Sequence, residues 1–446
     1  MPVYPQGELN LAALKANDTY ILVQTPTSTS IQGVETGIAG LVGTASWGPM
    51  NTPKRFGSPA AAVRMFGQAK NKAKDMPSDI ALLFAQRVPV IVGVRVGDGT
   101  EDKATEALVS ASRGTVAIAG TFHAGDVITI TFNGVAYAYT VVAGDTNLAG
   151  VAVSIANALN GNRGFRAVAT ARVSGAVITI VALANNDALT LVTAVTGTDN
   201  TITATRSAAT LDNGGDDIGT FTALYYGTDG NLLSHTFEPN VDSTGAVPKW
   251  DLTLTLNGGV TTSERFVGLT ESTLAADIVS ALTNGQGPSR GPSTIARFTA
   301  GAVGTVAPVA AGTFTGGTNG DSSLTSSQQL GTDQAIPRTG MYALKDNGVQ
   351  VMFLCGNTDS TTWVTQLGFA KKIGALVVLS MAANLTSEQA VALKKSAGIA
   401  NEYAAMIKDY CQYLDTVNSV YRLVPPAVFA AGRITSLTPE QSPGNK

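Results

Sequence analysis

Two histidines, two cysteines and one short serine motif are the residues best suited by type to catalysis or metal binding, and their spacing speaks against both roles. A zinc site draws on several His or Cys ligands at short spacing, whereas His123, His235, Cys355 and Cys411 stand far apart. His123 precedes a β-prone run and His235 lies in a polar one, so both read as surface loop or sheet positions. The cysteines sit in apolar neighbourhoods and read as buried free thiols, folded in a reducing compartment; nothing in the spacing supports a disulfide between them. Gly287-Pro288-Ser289-Arg290-Gly291 matches the G-x-S-x-G pattern of serine hydrolases. That chemistry needs a strand before the serine and a helix after it. Pro288 and Pro292 put this copy in a loop, so the match reads as accidental. Residues 212–217 (DNGGDD) and 227–231 (GTDGN) lack the ligand spacing of a calcium loop and read as turns. No Gly-Lys-Ser/Thr phosphate loop occurs. No cofactor, metal or small-molecule substrate is expected.

Composition narrows the field further. The chain has 446 residues, enough for two to four domains at ~100–200 residues each. Apolar residues make up 44% and charged residues only 14%, against ~25% in typical soluble domains. Two explanations fit: a surface largely buried against partners, since interface cores are charge-depleted, or a β-rich protein with a Thr/Ser/Asn surface. The net charge of −3 argues against a general nucleic-acid or anionic-membrane binder. The densest basic run, Lys70, Lys72 and Lys74, reads as a solvated helix end. The N-terminus has neither a basic nor an apolar signal region. The most apolar later stretch, 374–383, is too short for the ~20 residues of a membrane span.

The elements that would position any site fall into blocks. Residues 1–30 read as an arm: prolines and a polar run surround one β-prone piece, Thr19-Tyr20-Ile21-Leu22-Val23, too small to fold alone. Residues 37–44 (GIAGLVGT) and 90–96 (VIVGVRV) are near-continuous apolar runs, expected for strands buried on both faces. Between them Ser58 and Ser78 are expected to cap helices. Residues 126–132 and 135–141 alternate apolar and polar about Asn133-Gly134, a hairpin signal. A helix with Leu148, Val151, Ile155, Ala158 and Leu159 on one face follows, then a strand at 176–181. Residues 250–258 and 273–282 repeat this hairpin-then-helix grammar, and a Gly/Thr/Ser-rich linker at 312–332 closes the block. Strands at 349–355 and 375–380 and helices at 360–373 and 386–396 return the pattern to α/β. The expected fold is an α/β core, discontinuous in sequence (31–111 and 340–446), with β-rich α+β insertions at 112–212 and 213–339.

Three stretches carry a family resemblance. Residues 37–53 (GIAGLVGTASWGPMNTP) resemble the G-hydrophobic-V-G-x-x-x-x-G-P-x-N-x-P stretch of phage contractile tail sheath proteins. Residues 227–231 followed by Leu232 resemble the family's G-x-x-G-N turn. Residues 421–432 (YRLVPPAVFAAG) resemble its V-P-P-S-x-x-x-A-G stretch, with an x-P-x-N element at 442–446. Two departures stand out. Arg433-Ile434-Thr435-Ser436 occupies the place of the family's Ala-Arg-x-Asp, and the family's chains continue past the last element, so the expectation is a chain cut short at Lys446. The resemblance covers 1–111 and 213–446; residues 112–212 read as a variable insertion.

The resemblance implies a structural subunit of a tail-sheath type fold and no enzyme. Such subunits stack as rings into a helical homo-oligomer around a tail tube protein, between baseplate and tail terminator proteins, in the virion tail after assembly in the host cytoplasm. No direct contact with nucleic acid is implied. Strand exchange between subunits is expected at Thr19, Tyr20, Ile21, Leu22 and Val23. A tube contact is assigned to Lys394 and Lys395, late in the 386–396 helix where cations also suit the helix dipole; an ordinary solvated helix end is the simpler account of the same pair. The rival reading is a carbohydrate-binding or adhesive tail protein. It requires exposed aromatic residues clustered on one face, for which Tyr137, Tyr139, Tyr225, Tyr226 and Trp250 are the candidates.

Overall fold

A computed structural model describes residues 37–446, apart from 71, 184–188, 198–201, 209–210, 212–213, 241–248, 304–306, 416–418, 438–446 and the side chain of Ser289. The proposed arm, with Thr19 to Val23, and the 442–446 element lie outside these residues. Strand β1 (Ile38–Gly43) is buried at every position. Gly43 is required there, because a Cβ would fall 2.7 Å from the Lys74 carbonyl oxygen. A short β2 (Lys54–Phe56) follows. Ser58 caps α1 (Pro59–Phe66), accepting from the Ala61 amide, with proline pre-set in the first turn. Helix α2 (Met76–Ala85) starts two residues before the expected Ser78 cap. Asp75 stands at its N-cap and Ser78 donates to the Asp75 carboxylate from inside the first turn. β3 (Val90–Arg95) and β4 (Thr105–Val109) complete this stretch.

The middle of the chain is β-rich. It runs β5 (Arg113–Ala119), β6 (Val127–Phe132), β7 (Val135–Thr140), α3 (Leu148–Gly161), α4 (Arg163–Arg166), β8 (Ala169–Ser174), β9 (Val177–Ala182), β10 (Leu191–Thr196) and β11 (Thr203–Arg206). The hairpin β6–β7 turns at Asn133 and Gly134 with φ of 48 and 79, the left-handed pair that a two-residue turn demands. On α3, Ala152 and Ala156 take buried places while Ala158 is exposed, a correction to the expected face. One apolar cluster draws all its buried members from Val116 to Leu211. Then come β12 (Asp217–Ala223), β13 (Leu233–Asn240), β14 (Lys249–Leu256), β15 (Thr262–Thr270), α5 (Leu274–Asn284), β16 (Ala296–Ala300), β17 (Ala311–Thr313) and α6 (Ser326–Leu330). A core around Trp250, Phe221, Phe266 and Ile278 joins the sheets β16-β12-β4 and β15-β14-β13-β17 to α5.

The last stretch comprises β18 (Val351–Leu354), α7 (Trp363–Ile373), β19 (Leu376–Ser380), α8 (Ser387–Ser396), β20 (Ala404–Ile407), the ribbon β21 (Cys411–Asp415) and β22 (Val420–Val424), and α9 (Ala427–Ser436). Strands from both ends of the described chain share one six-stranded sheet, ordered β2-β3-β1-β18-β19-β20 and parallel except for β2. α1, α2 and α9 cover one face with Phe66, Ile80 and Val428; α7 and α8 cover the other with Trp363, Phe369 and Ala390. Burial on both faces is why these strands read as unbroken apolar runs.

Several expectations are corrected. Thr105–Val109, assigned by sequence to the α/β block, pairs antiparallel with β12. The polar stretch at 312–332 is no free linker: it contains part of β17 and all of α6, and Thr315 and Thr318 bridge to Thr105 and Asp102. Its threonines and glycines serve backbone pairing, which composition does not reveal. His235 is fully buried within β13, between Phe237 of the same strand and Phe221 of β12. Lys70, Lys72 and Lys74 lie in the loop between α1 and α2, not at a solvated helix end. They bind Asp229, Asp321 and the Leu324 carbonyl. Cys355 is buried and Cys411 only half-buried; both are free.

Candidate functional site

In an open parallel sheet, ligands sit beyond the carboxyl ends of the strands where the chain order reverses. Here that point lies between β1 and β18: the chain leaves β1 toward β3, and leaves β18 toward β19 and β20. The chain itself occupies this crevice. Thr44 donates through both its amide and its hydroxyl to the Lys74 carbonyl, and the Lys74 ammonium donates to Leu324 O at 2.5 Å. Gln329 on α6 is fully buried; its amide donates to Cys355 O at 2.8 Å and its carbonyl accepts from Asn357 at 3.1 Å. Thr362 donates to Asn357 and accepts from Gln366 at 2.9 Å. This run of satisfied amides and hydroxyls fixes α6 and α7 against the sheet and fills the place of a phosphate or cofactor.

Beside it lies the most buried charge among the described residues. Arg95, the last residue of β3, is fully buried. Its Nη1 donates to Gly48 O at 2.9 Å and Tyr226 O at 2.6 Å. Burial lowers its pKa to about 10, so it stays charged at neutral pH, and Glu101, Asp229 and Asp321 supply opposing charge. The 227–231 turn packs onto this point: Gly227 has φ 120, and a Cβ there would fall 2.1 Å from Ser46 O. Asp229, buried in the turn, meets Lys70 at 3.1 Å. Arg95 thus joins the α/β sheet to the 213–339 block. Its only sequence signal is that it is the one charged residue within VIVGVRV.

A second clasp ties the 112–212 block to its neighbour. Arg172 of β8 is buried, pairs with Glu271, and lies 4.9 Å from the Trp250 ring; Trp250 Nε1 donates to the same carboxylate at 2.9 Å. Trp250 is therefore core, and the aromatic face needed by an adhesive protein does not form. Tyr137 and Tyr139 pack against the core beneath β7 and α3, Tyr225 meets Trp47 edge-on, and Tyr226 alone of the five is exposed.

The remaining candidates carry no visible chemistry. Both ring nitrogens of His235 lack a hydrogen-bond partner, and burial pushes its pKa down to about 4, which keeps it neutral. His123 lies in the loop before β6, where its amide donates to Asp126. The G-x-S-x-G motif follows a helix and forms a short 3₁₀ turn, and Arg290 of the motif pairs with buried Glu264 at 2.9 Å. Among the described residues no cluster of His, Cys, Asp or Glu could hold a metal ion.

Two exposed features remain near the end of the chain. Lys394 and Lys395 occupy the exposed last turn of α8, whose start is fixed by a capping box between Thr386 and Gln389. Lys394 also lines an open groove of about 320 Å³ between α8 and β20, floored by Met381, Ile399 and Met406. The ribbon β21–β22 pairs with no other described strand, and its outer side exposes Leu414, Tyr421 and Leu423, at 43%, 69% and 63%.

Residues 36–96 match the family described as tail sheath protein Gp18 domain III N-terminal region. No curated protein matches the chain. A solved sheath tail protein of Listeria innocua is 14% identical over 91% of this chain and 57% of its own, with a TM-score of 0.45. One of Desulfitobacterium hafniense is 14% identical over 94% and 61%, with a TM-score of 0.40. The chain spans less than two thirds of the length of either. The resemblance to phage tail sheath proteins is thus carried by residues 36–96, the segment that builds β1, β2, α1, α2 and β3.

Proposed function

We propose that this chain is a structural, non-enzymatic subunit of a contractile tail sheath. It polymerises as stacked rings around an inner tail tube, between baseplate and terminator proteins, and contracts to drive the tube through the host envelope. The observation that carries this reading is the match of residues 36–96 to a tail sheath domain. The self-filled crevice at the sheet's carboxyl ends and the charge-poor composition agree with a protein that works through contacts. In this reading 31–111 without β4, together with 340–446, forms the core, and 112–212 and 213–339 are insertions upon it, the latter taking β4 into its sheet.

Subunits are linked by strand exchange, with Thr19, Tyr20, Ile21, Leu22 and Val23 of one chain added to the β21–β22 ribbon of the next. A two-stranded ribbon is marginal alone, and its exposed Tyr421 and Leu423 favour a cover. Each added backbone hydrogen bond contributes ~0.5–1.5 kcal/mol, largely offset by ordering the arm at ~1–2 kcal/mol per residue. One link is weak, and the lattice holds by repetition. Removal of residues 1–27 is expected to give sheaths that fall apart on contraction, scored by negative-stain microscopy; intact contracted sheaths from the shortened chain would refute the arm as linker.

The tube contact is assigned to Lys394 and Lys395. Lys394→Glu with Lys395→Glu is expected to stop assembly on the tube while free polymer still forms, because both side chains are exposed and the fold does not depend on them. Unchanged tube binding in a co-sedimentation assay would remove the assignment.

A further inference from the structure

Strand β7 is an edge without the usual protections. It pairs with β6 alone among the described strands, in unbroken register from Val127↔Thr140 to Phe132↔Val135. Natural edges are commonly blunted by lysine, proline or a bulge; VAYAYT has none of these. The sheet β10-β6-β7 contains no charged residue, and its outer side presents Thr129, Thr131, Ala136, Ala138, Val192 and Ala194 as a flat, neutral surface. Beside β7 lie two adjoining hollows, one of about 310 Å³ against α4 and one of about 200 Å³ against α3, that share Ala136, Tyr137 and Asn162. An open edge beside a helix, with room for side chains between them, is the geometry that accepts an added strand.

The sequence of β7 identifies the strand that fits. Ala136-Tyr137-Ala138 reads the same in both directions. Antiparallel pairing of two copies centred on Tyr137 sets Tyr137 opposite Tyr137, Ala136 opposite Ala138 and Val135 opposite Tyr139. Each pair joins positions of like parity, so inner side chains meet inner ones and α3 stays on one side in both chains. A shift by one residue would set core-facing tyrosines against the solvent side. With no charge on either edge, nothing repels the second copy. We propose that β7 is a self-complementary interface through which two copies of this chain join their three-stranded sheets into one of six strands. The contact is isologous and closes on itself, unlike the heterologous contacts of a growing stack, so it stands independently of the sheath reading.

The test is sedimentation of the full chain over a range of concentrations, in which dimers separate from larger polymers by size. The parent is expected to show a concentration-dependent dimer. Ala136→Lys with Ala138→Lys sets like charges opposite each other twice and should weaken dimerisation at least ~tenfold. Ala136→Glu with Ala138→Lys sets opposite charges in the same places and should restore it. Both positions are exposed, so the fold is retained, as checked by circular dichroism. No dimer of the parent at any concentration overturns the proposal, as does a double-lysine variant that associates like the parent, or a Glu/Lys variant as weak as the double lysine.

Discussion

Replacing Arg95 with methionine is expected to lower stability by roughly 3–5 kcal/mol, the range found when one partner of a buried charged network is removed. Methionine keeps most of the side-chain volume, so the loss comes from polar groups left behind. Gly48 O and Tyr226 O lose their donor inside the protein. Asp229, one of the carboxylates opposing Arg95, loses that charge and keeps its pair with Lys70 at 3.1 Å. The contacts severed lie between the α/β sheet and the 213–339 block, so proteolysis should cut that junction before it opens either core. The check is the urea midpoint together with the first cleavage sites; a change below about 1 kcal/mol would mean that the guanidinium is replaceable by water.

The second large effect is one of pH. Asp79 of α2 is buried against Cys355, and burial raises its pKa from 3.8 to about 7; the hydrogen bond with Cys355 and the charge of Arg422 oppose that rise, and Asp75 adds to it. Between these two values the unfolded chain has released the proton and the folded chain still holds it. Stability contributed by this group is therefore full below pH ~4 and is lost as pH rises to about 7, by roughly 4 kcal/mol at 1.36 kcal/mol per unit. Asp79→Asn, which keeps the shape without the charge, is expected to flatten the stability profile between pH 4.5 and 7 and to be the more stable form at pH 7.5. Parallel profiles for the two proteins would show that Asp79 is already ionised in the fold.

What was legible in the sequence follows from how local each signal is. Ile38–Gly43, Val90–Arg95, Val351–Leu354 and Leu376–Ser380 were readable because burial on both faces leaves an unbroken apolar run. The β6–β7 turn was readable because Asn-Gly is among the few pairs that favour two successive left-handed residues, and the start of α1 because Ser58 is followed by proline. The α2 start was misread because Ser78 satisfies Asp75, not the helix end. The joints were not legible. Arg95 and Lys74 bind backbone carbonyls, which every residue possesses and no sequence pattern marks. Thr105–Val109 could not be assigned to a sheet from its own alternation, since its partner strand lies more than a hundred residues on. The aromatics looked available for binding until distant strands covered Trp250, whose indole serves Arg172 and Glu271.

The position of β1 has a consequence for synthesis. It runs between β3 and β18, and Gly37 at its start is hydrogen-bonded to Gln350, 313 positions away. At ~5–20 residues per second, the ribosome needs roughly 15–60 s to deliver that neighbour. Within this interval the 112–212 block can bury its own apolar cluster and α1 and α2 can cover one face of β1, while β1 presents one bare edge and the apolar face that α7 and α8 later cover. A nascent chain halted before residue 350 is therefore a client for chaperones, and the sheet around β1 closes only when β18 has been made.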